Sequence, residues 1–324
     1  MNNINYKVCV RCFTFNQAMF IIDTMSGFCI QQTDFPYICC IVDDASTDGE
    51  QSVIKDFLHE NFDLHNTDIA NKAETSYAQI IYAQHKKNKN CFFAVLLLKE
   101  NHYSQDKSKF PYIEQWRKNC EYEAICEGDD YWINPTKLQK QINYLDEHPN
   151  CGITRTDVNR LNQETGVIEQ EVFKNTMYKN VKDSFEDYLL NAWWAAPCTW
   201  VYRKEFIDVN WLPSDCFKGD IAMLLSISAK SEIASFDDVT AVYRVLSISA
   251  SHFDDPLKNV RFSSCVAKTR CYFAKQYRPD LRFTLFKKIC KETKSLLINR
   301  IFYLSKLPLF FSYMYSYYRI LYKS

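Results

Sequence analysis

The sequence predicts an α/β fold: a mostly parallel sheet with helices on both faces, followed by a helical C-terminal extension. Three observations carry this expectation. Apolar strand-like runs alternate with segments of helical spacing through the first half of the chain, the order that builds parallel sheets covered on both faces. Two acidic clusters, Asp43-Asp44 and Glu127-Gly128-Asp129-Asp130, each follow such a run, and ligands of open α/β sheets bind beyond the carboxyl ends of strands. Beyond about residue 255 the chain reads as helical, basic and aromatic.

The elements follow in order. Residues 6–13 read as a strand through Val8, Val10 and Phe13, and Asn16 opens a helical stretch to Phe28. Residues 35–42 form a continuous apolar strand. Residues 51–62 have helical spacing through Val53, Ile54, Phe57 and Leu58. The stretch 63–90 is polar and irregular, with a helical piece expected at 77–85; a buried strand follows at 91–98. Residues 112–119 look helical and 122–126 form the strand before the second acidic cluster. Pro135 fits the first turn of a helix, where its missing donor costs nothing, and Leu138, Ile142 and Leu145 continue that helix. Further strands are expected at 152–158, 198–202 and 239–245, and helices at 184–190 and 220–229. There is no internal repeat and no low-complexity linker. The expected division is 1–254, with halves 1–130 and 131–254, and an extension over 255–324.

The composition narrows the function. In 324 residues, 47% apolar, Lys plus Arg equals Asp plus Glu at 39 each, so no global field draws nucleic acid. The first residues lack a basic region followed by an apolar core, so the expected location is the cytoplasm, where fourteen cysteines are simplest as buried thiols. Cys9 and Cys12 form a lone C-x-x-C in a strand, where positions three apart point to opposite faces; this suits core packing rather than zinc. No apolar run is long enough to span a bilayer. The nearest, residues 307–315, is flanked by Lys306, Arg319 and Lys323. It suits peripheral contact with the inner face of the membrane, or packing on the rest of the chain or a second subunit.

Carboxylates this close repel one another unless a cation sits among them, so Glu127, Asp129 and Asp130 ask for a hard divalent metal such as Mg²⁺ or Mn²⁺. A second acidic strand end at Asp43-Asp44 suggests a nucleoside-diphosphate ligand, with carboxylates accepting N–H or hydroxyl bonds. An EF-hand reading of Asp44, Ser46, Asp48 and Gly49 fails because Lys55 stands where a bidentate glutamate is required. A plain acidic turn remains the alternative for each cluster.

Residues 10–16 (VRCFTFN), 41–49 (IVDDASTDG), 126–132 (CEGDDYW) and 137–149 (KLQKQINYLDEHP), with Lys218-Gly219-Asp220 and Tyr243-Arg244-Val245, resemble a family 2 glycosyltransferase of GT-A fold. The resemblance covers about residues 6–252 and is similar to bacterial enzymes that assemble surface polysaccharides. It implies an inverting transfer from a nucleoside-diphosphate sugar, of UDP type, to a glycan or lipid-linked acceptor. By this resemblance 1–130 is a nucleotide-binding half and 131–254 an acceptor half. Thr14, Asn16, Asp43, Asp44 and Arg244 lie toward the nucleotide, with Asp44 on the base. Glu127, Asp129, Asp130 and His252 lie toward the metal, and Asp220 is the general base. Glutamate replaces the usual first aspartate at 127, so Asp129 is the firmer ligand, and Gly128 leaves room for the ligand. Asp220 could instead be a helix N-cap, Arg244 a structural ion pair and His252 a surface residue. Trp132, Trp193 and Trp194 suit sugar stacking or the core. The rival readings are a nucleotidyltransferase, although residues 14–16 offer no glycine-rich phosphate loop, and a non-catalytic sugar-binding relative.

Overall fold

The structure, a computed structural model, describes residues 4–247, 255–300 and 307–323. Two compact units interleave along the chain. The first comprises Met1–Lys179, Ala195–Lys204 and Ala234–Val245, and the second Asn180–Trp194, Glu205–Ile233 and Leu246–Ser324. A linear cut at residue 254 does not follow this partition, since the segment around Asp220 belongs with the C-terminal helices.

The first unit is built on strands β1 (Val8–Thr14), β2 (Tyr37–Asp43), β3 (Asn71–Glu74), β4 (Ala78–Gln84), β5 (Cys91–Leu98), β6 (Tyr122–Ile125), β7 (Tyr131–Trp132), β8 (Cys151–Asn162), β9 (Ile168–Glu169), β10 (Val201–Arg203) and β11 (Glu232–Val245). They form one eleven-stranded sheet in the order β3-β4-β5-β2-β1-β6-β10-β8-β11-β7, with β9 beside β8. The four central strands, β5-β2-β1-β6, pair in parallel. Their sequences explain it: every residue of β2 (YICCIVD) and β5 (CFFAVLLL) is buried, as a strand covered on both faces requires. On either side the pairing turns antiparallel, at β4 on β5 and at β10 on β6.

Helices α1 (Ile21–Cys29), α2 (Glu50–Asn61), α3 (Phe110–Arg117), α4 (Lys137–Glu147) and the short α5 (Val172–Asn175) belong to the same unit. Gly27 sets how closely α1 approaches β7. A Cβ there would lie 2.7 Å from the Trp132 carbonyl oxygen, so only glycine lets the helix approach so near. Trp132 itself is buried against Phe28, ring centroids 4.9 Å apart, and donates from Nε1 to the Cys198 carbonyl at 2.7 Å. It is a core residue and no stacking surface for a sugar.

Two expectations are corrected. Residues 77–85 form no helix: Ala78–Gln84 pairs with β5 along its whole length, and that partner decides the conformation of a stretch whose apolar spacing fits either period. Pro135 lies outside its helix, which begins at Lys137 with Thr136 as N-cap; its carbonyl accepts from the Gln32 N–H at 2.8 Å. All fourteen cysteines are free thiols and eleven are buried, Cys9 and Cys12 among them.

The second unit holds α6 (Phe185–Asn191), α7 (Asp220–Ser228), α8 (Pro256–Tyr277), α9 (Arg282–Arg300) and α10 (Leu307–Tyr322). Ser184 caps α6 by accepting the Asp187 N–H at 3.2 Å. Buried Arg270 of α8 closes the other end, donating to the Leu189 and Leu190 carbonyls at 2.7 and 2.6 Å while pairing with Glu292 of α9. One guanidinium thereby ties three helices.

Candidate functional site

The acidic clusters sit on turns at the carboxyl ends of β2 and β6, with the end of β1 between them. Thr14 pairs with Asp43 in the parallel register, and its carbonyl accepts the Asp44 N–H at 3.0 Å. On the other side the Phe13 carbonyl accepts the Gly128 N–H at 3.3 Å. A Cβ on Gly128 would lie 2.2 Å from Thr14 Oγ1 and 2.4 Å from Gln17 Oε1. The space beside Gly128 is therefore filled by these two side chains rather than left for a ligand. Thr14 also donates to Glu50, a fully buried carboxylate that accepts the Gln17 N–H at 2.9 Å and the Ser46 hydroxyl at 2.8 Å. Glu50 and Gln17 join the site from outside both acidic clusters. The available signal was an acid on the first residue of the helix after the Asp-rich turn, beside the free N–H groups.

Asp44 is buried and engaged by three protein donors. Its oxygens accept the His102 N–H at 2.7 Å, the Tyr103 N–H at 3.0 Å and the Lys109 ammonium at 2.9 Å. Burial alone would raise its pKa, but these donors hold it below the ordinary carboxylate value. A base on Asp44, as expected from the resemblance, would be a fourth partner beside these three protein donors. Asp43 differs. Burial raises its pKa, Ser46 N–H and Gln51 Nε2 donate to Oδ2 at 3.2 and 2.5 Å, and Oδ1 is buried without a partner. Asn16, in the left-handed region at φ 53°, accepts the Thr47 N–H at 2.8 Å and donates its own N–H to Ser46 Oγ at 2.8 Å. It latches the first turn to the end of β1.

The three acids of the second turn point three ways. Glu127 folds back on β1, where Oε2 accepts the Phe13 N–H at 2.8 Å and Oε1 pairs with Arg11 at 3.2 Å. Asp130 turns inward and is buried: Oδ1 accepts the Arg244 N–H at 2.9 Å and the carboxylate is hydrogen-bonded to Cys198. Burial, with Asp129 beside it, raises its pKa well above the ordinary range. Asp129 is half-buried between them. Burial and the charge of Glu127 raise its pKa, opposed by Arg244 and a hydrogen bond with Gln17.

Arg244 is itself fixed. It donates to the Asp129 carbonyl at 2.7 Å, pairs with Asp23 of α1, and lies over the rings of Tyr131 and Phe20 at 4.5 and 4.9 Å. This is the structural ion pair of the two alternatives: its buried guanidinium braces the turn and is not free for a phosphate. Behind the turn Lys137 is buried over Trp132, and burial pulls its pKa down to about 7.

In the second unit Asp220 is the first residue of α7, after Gly219 as N-cap. It is half-buried and accepts the Ile221 N–H at 2.8 Å; burial raises its carboxyl pKa, opposed by that bond. Its place inside the helix removes the N-cap alternative. His252 lies outside the described residues. Among the described residues, no three His, Cys, Asp or Glu side chains gather as a complete metal cage. A depression of about 660 Å³, lined by Gln31, Thr33, Lys87 and Asn88 among others, lies toward the amino ends of β2 and β5, away from both acidic turns.

No protein-family model matches the chain. It is similar to the uncharacterized proteins Rv1520 of Mycobacterium tuberculosis and Mb1547 of Mycobacterium bovis, each 27% identical over 231 residues, which is 71% of this chain and 56% of theirs. The chain thus spans just over half the length of these relatives. Among solved structures it is similar to Staphylococcus aureus TarS 1–349 in complex with UDP-GlcNAc, at TM-score 0.61 and 15% identity over 97% of this chain and 81% of that one. It is also similar to the mannosyltransferase PcManGT from Pyrobaculum calidifontis in complex with GDP-Man and Mn²⁺, at TM-score 0.52 and 14% identity over 99% and 84%. These likenesses identify the fold as that of GT-A-like glycosyltransferases: a mixed α/β sheet flanked by helices, with a helical C-terminal region.

Proposed function

We propose that this chain is an inverting glycosyltransferase of family 2. It moves a hexosyl group from a nucleoside-diphosphate sugar of UDP type to a hydroxyl of a glycan or lipid-linked acceptor in surface-polysaccharide synthesis. One observation carries the reading. Two carboxylate-bearing turns flank the end of β1, and each holds one acid that stands apart from its neighbours: Asp43, whose Oδ1 has no hydrogen-bond partner, and half-buried Asp129, whose pKa is raised by burial and by Glu127. Each lies where an open α/β sheet binds its ligand.

Asp43 accepts a hydrogen bond from the nucleoside, with Thr14, Asn16 and Asp44 holding the turn that presents it. The donor set fits Mg²⁺ or Mn²⁺, which bind through one or two carboxylates plus substrate phosphates rather than a full protein cage. Asp129 would hold the ion, with Glu127 beside it and Asp130 and Arg244 fixing the loop behind. When bound, such an ion stabilises the charge of the departing diphosphate, so no general acid is required there. Asp220 accepts the proton of the acceptor hydroxyl. The new C–O bond forms at the anomeric carbon as the bond to the diphosphate breaks, and a single displacement inverts that centre.

The base must be ionised to act, and burial raises the Asp220 pKa. Activity therefore falls with decreasing pH through an apparent pKa above the ordinary carboxylate value of about 4. Asp220→Asn is expected to keep donor affinity and lose at least about a hundredfold in turnover. Full turnover in this variant would remove Asp220 as the base. The specific rival is a non-catalytic sugar binder, favoured by how many of the acids the protein itself engages. A donor that binds but is never transferred or hydrolysed, in the presence of Mn²⁺ and a panel of acceptors, would support it.

A further inference from the structure

The even balance of 39 cationic and 39 acidic residues hides a strong asymmetry. Residues 256–323 contain fifteen Lys and Arg against two acids, Asp280 and Glu292, so the remainder of the chain is correspondingly acidic. The three helices formed by this basic segment pack on one another. Met314, Tyr317 and Leu321 of α10 are buried at i, i+3 and i+7, and the Tyr317 hydroxyl donates to Ser264 of α8 at 2.9 Å. The flank of α10 next to this buried stripe, about a quarter-turn round the helix, is uncovered among the described residues. Phe311, Tyr315, Tyr318 and Tyr322 follow at i, i+4, i+7 and i+11 and are 63%, 56%, 44% and 42% exposed.

Cations border this stripe. Arg319 and Lys323 lie 6.0 and 5.7 Å from the Tyr315 ring centroid, and among the described residues neither has a carboxylate partner. The Tyr322 ring reaches Phe286 of α9, whose neighbour Phe283 is 61% exposed beneath the Lys287 ammonium, 4.2 Å from its ring. From Leu307 to Lys323 there is no acidic residue.

We infer that this aromatic, cationic face of α9 and α10 docks the protein on an anionic lipid surface. Tyrosine and phenylalanine settle at the level of headgroups and upper acyl chains, while the bordering Lys and Arg meet lipid phosphates. A second copy fits less well, because a two-fold interface through this stripe would bring like cations face to face. No described helix is long and apolar enough to cross a membrane, so the contact lies on the surface. The inference stands independently of the glycosyltransferase reading.

The test is sedimentation of the full chain with phosphatidylcholine vesicles and with vesicles containing about one third phosphatidylglycerol, across a salt series. Binding is expected to the anionic vesicles only and to fall as salt rises. Arg319→Glu with Lys323→Glu lowers the partition coefficient at least about tenfold. Phe311→Ser with Tyr315→Ser weakens binding to the same vesicles without moving the melting temperature. The proposal is overturned if the chain does not sediment, or binds neutral and anionic vesicles alike. It is equally overturned if duplex DNA competes fully while the aromatic substitutions change nothing. A dimer in light scattering that these substitutions break, without vesicle binding, would assign the face to self-association instead.

Discussion

The turns after β2 and β6 are similar in sequence and differ in how their carboxylates are satisfied. In the first, neighbouring Asp43 and Asp44 part company: Asp44 takes three protein donors, whereas Asp43 keeps a buried oxygen without one. In the second, Glu127 and Asp130 are engaged by β1 and by Arg244, leaving Asp129 pressed by burial and by a like charge. In both turns the acids split into those that build the loop and one that the loop satisfies less fully. Adjacency in sequence says that acids share a site; their unmet hydrogen-bonding capacity says which of them can serve a ligand.

The largest effect expected from breaking this contrast lies at Asp44. Its replacement by alanine leaves Lys109 and two N–H groups without their acceptor, at a cost of about 3 kcal/mol in urea unfolding. Because its folded pKa is lowered, the stability from Asp44 is full above the unfolded value of about 3.9 and is lost as pH falls through the folded value. The acid loss of stability should therefore be shallower in the variant.

Gly128→Ala comes next. Its Cβ meets Thr14 and Gln17 side chains at 2.2 and 2.4 Å, so about 1–3 kcal/mol of stability is lost. Thr14→Ser, which keeps the hydroxyl, should not relieve that loss, whereas Thr14→Ala combined with Gly128→Ala recovers part of it. The smallest change is expected at Asp130→Asn. The amide oxygen still accepts the Arg244 N–H and an unfavourably buried charge is removed, so the melting temperature stays level or rises and nucleotide binding is kept. Loss of nucleotide binding in a folded Asp130→Asn protein would return this residue to the ligand side of the comparison.

The central strands were legible because β2 and β5 are unbroken apolar runs, and the turns because acids cluster where those runs end. Strand β4 was not, since residues 77–85 fit both periods and only pairing with β5 selects one. The direction of each carboxylate was hidden for a different reason. Glu127 meets Arg11 and Asp130 meets Arg244 across 116 and 114 residues of chain, and local sequence holds no record of such partners. Glu50 shows the same limit: its place beside the first turn was visible, but its burial under Thr14 and Ser46 was not.

The most direct test of the account is calorimetric titration of Asp129→Asn and the unchanged protein with UDP in the presence of Mn²⁺. The variant is expected to keep its melting temperature and to lose the Mn²⁺-dependent part of the affinity, at least about tenfold. Unchanged Mn²⁺-dependent affinity in the folded variant would contradict it.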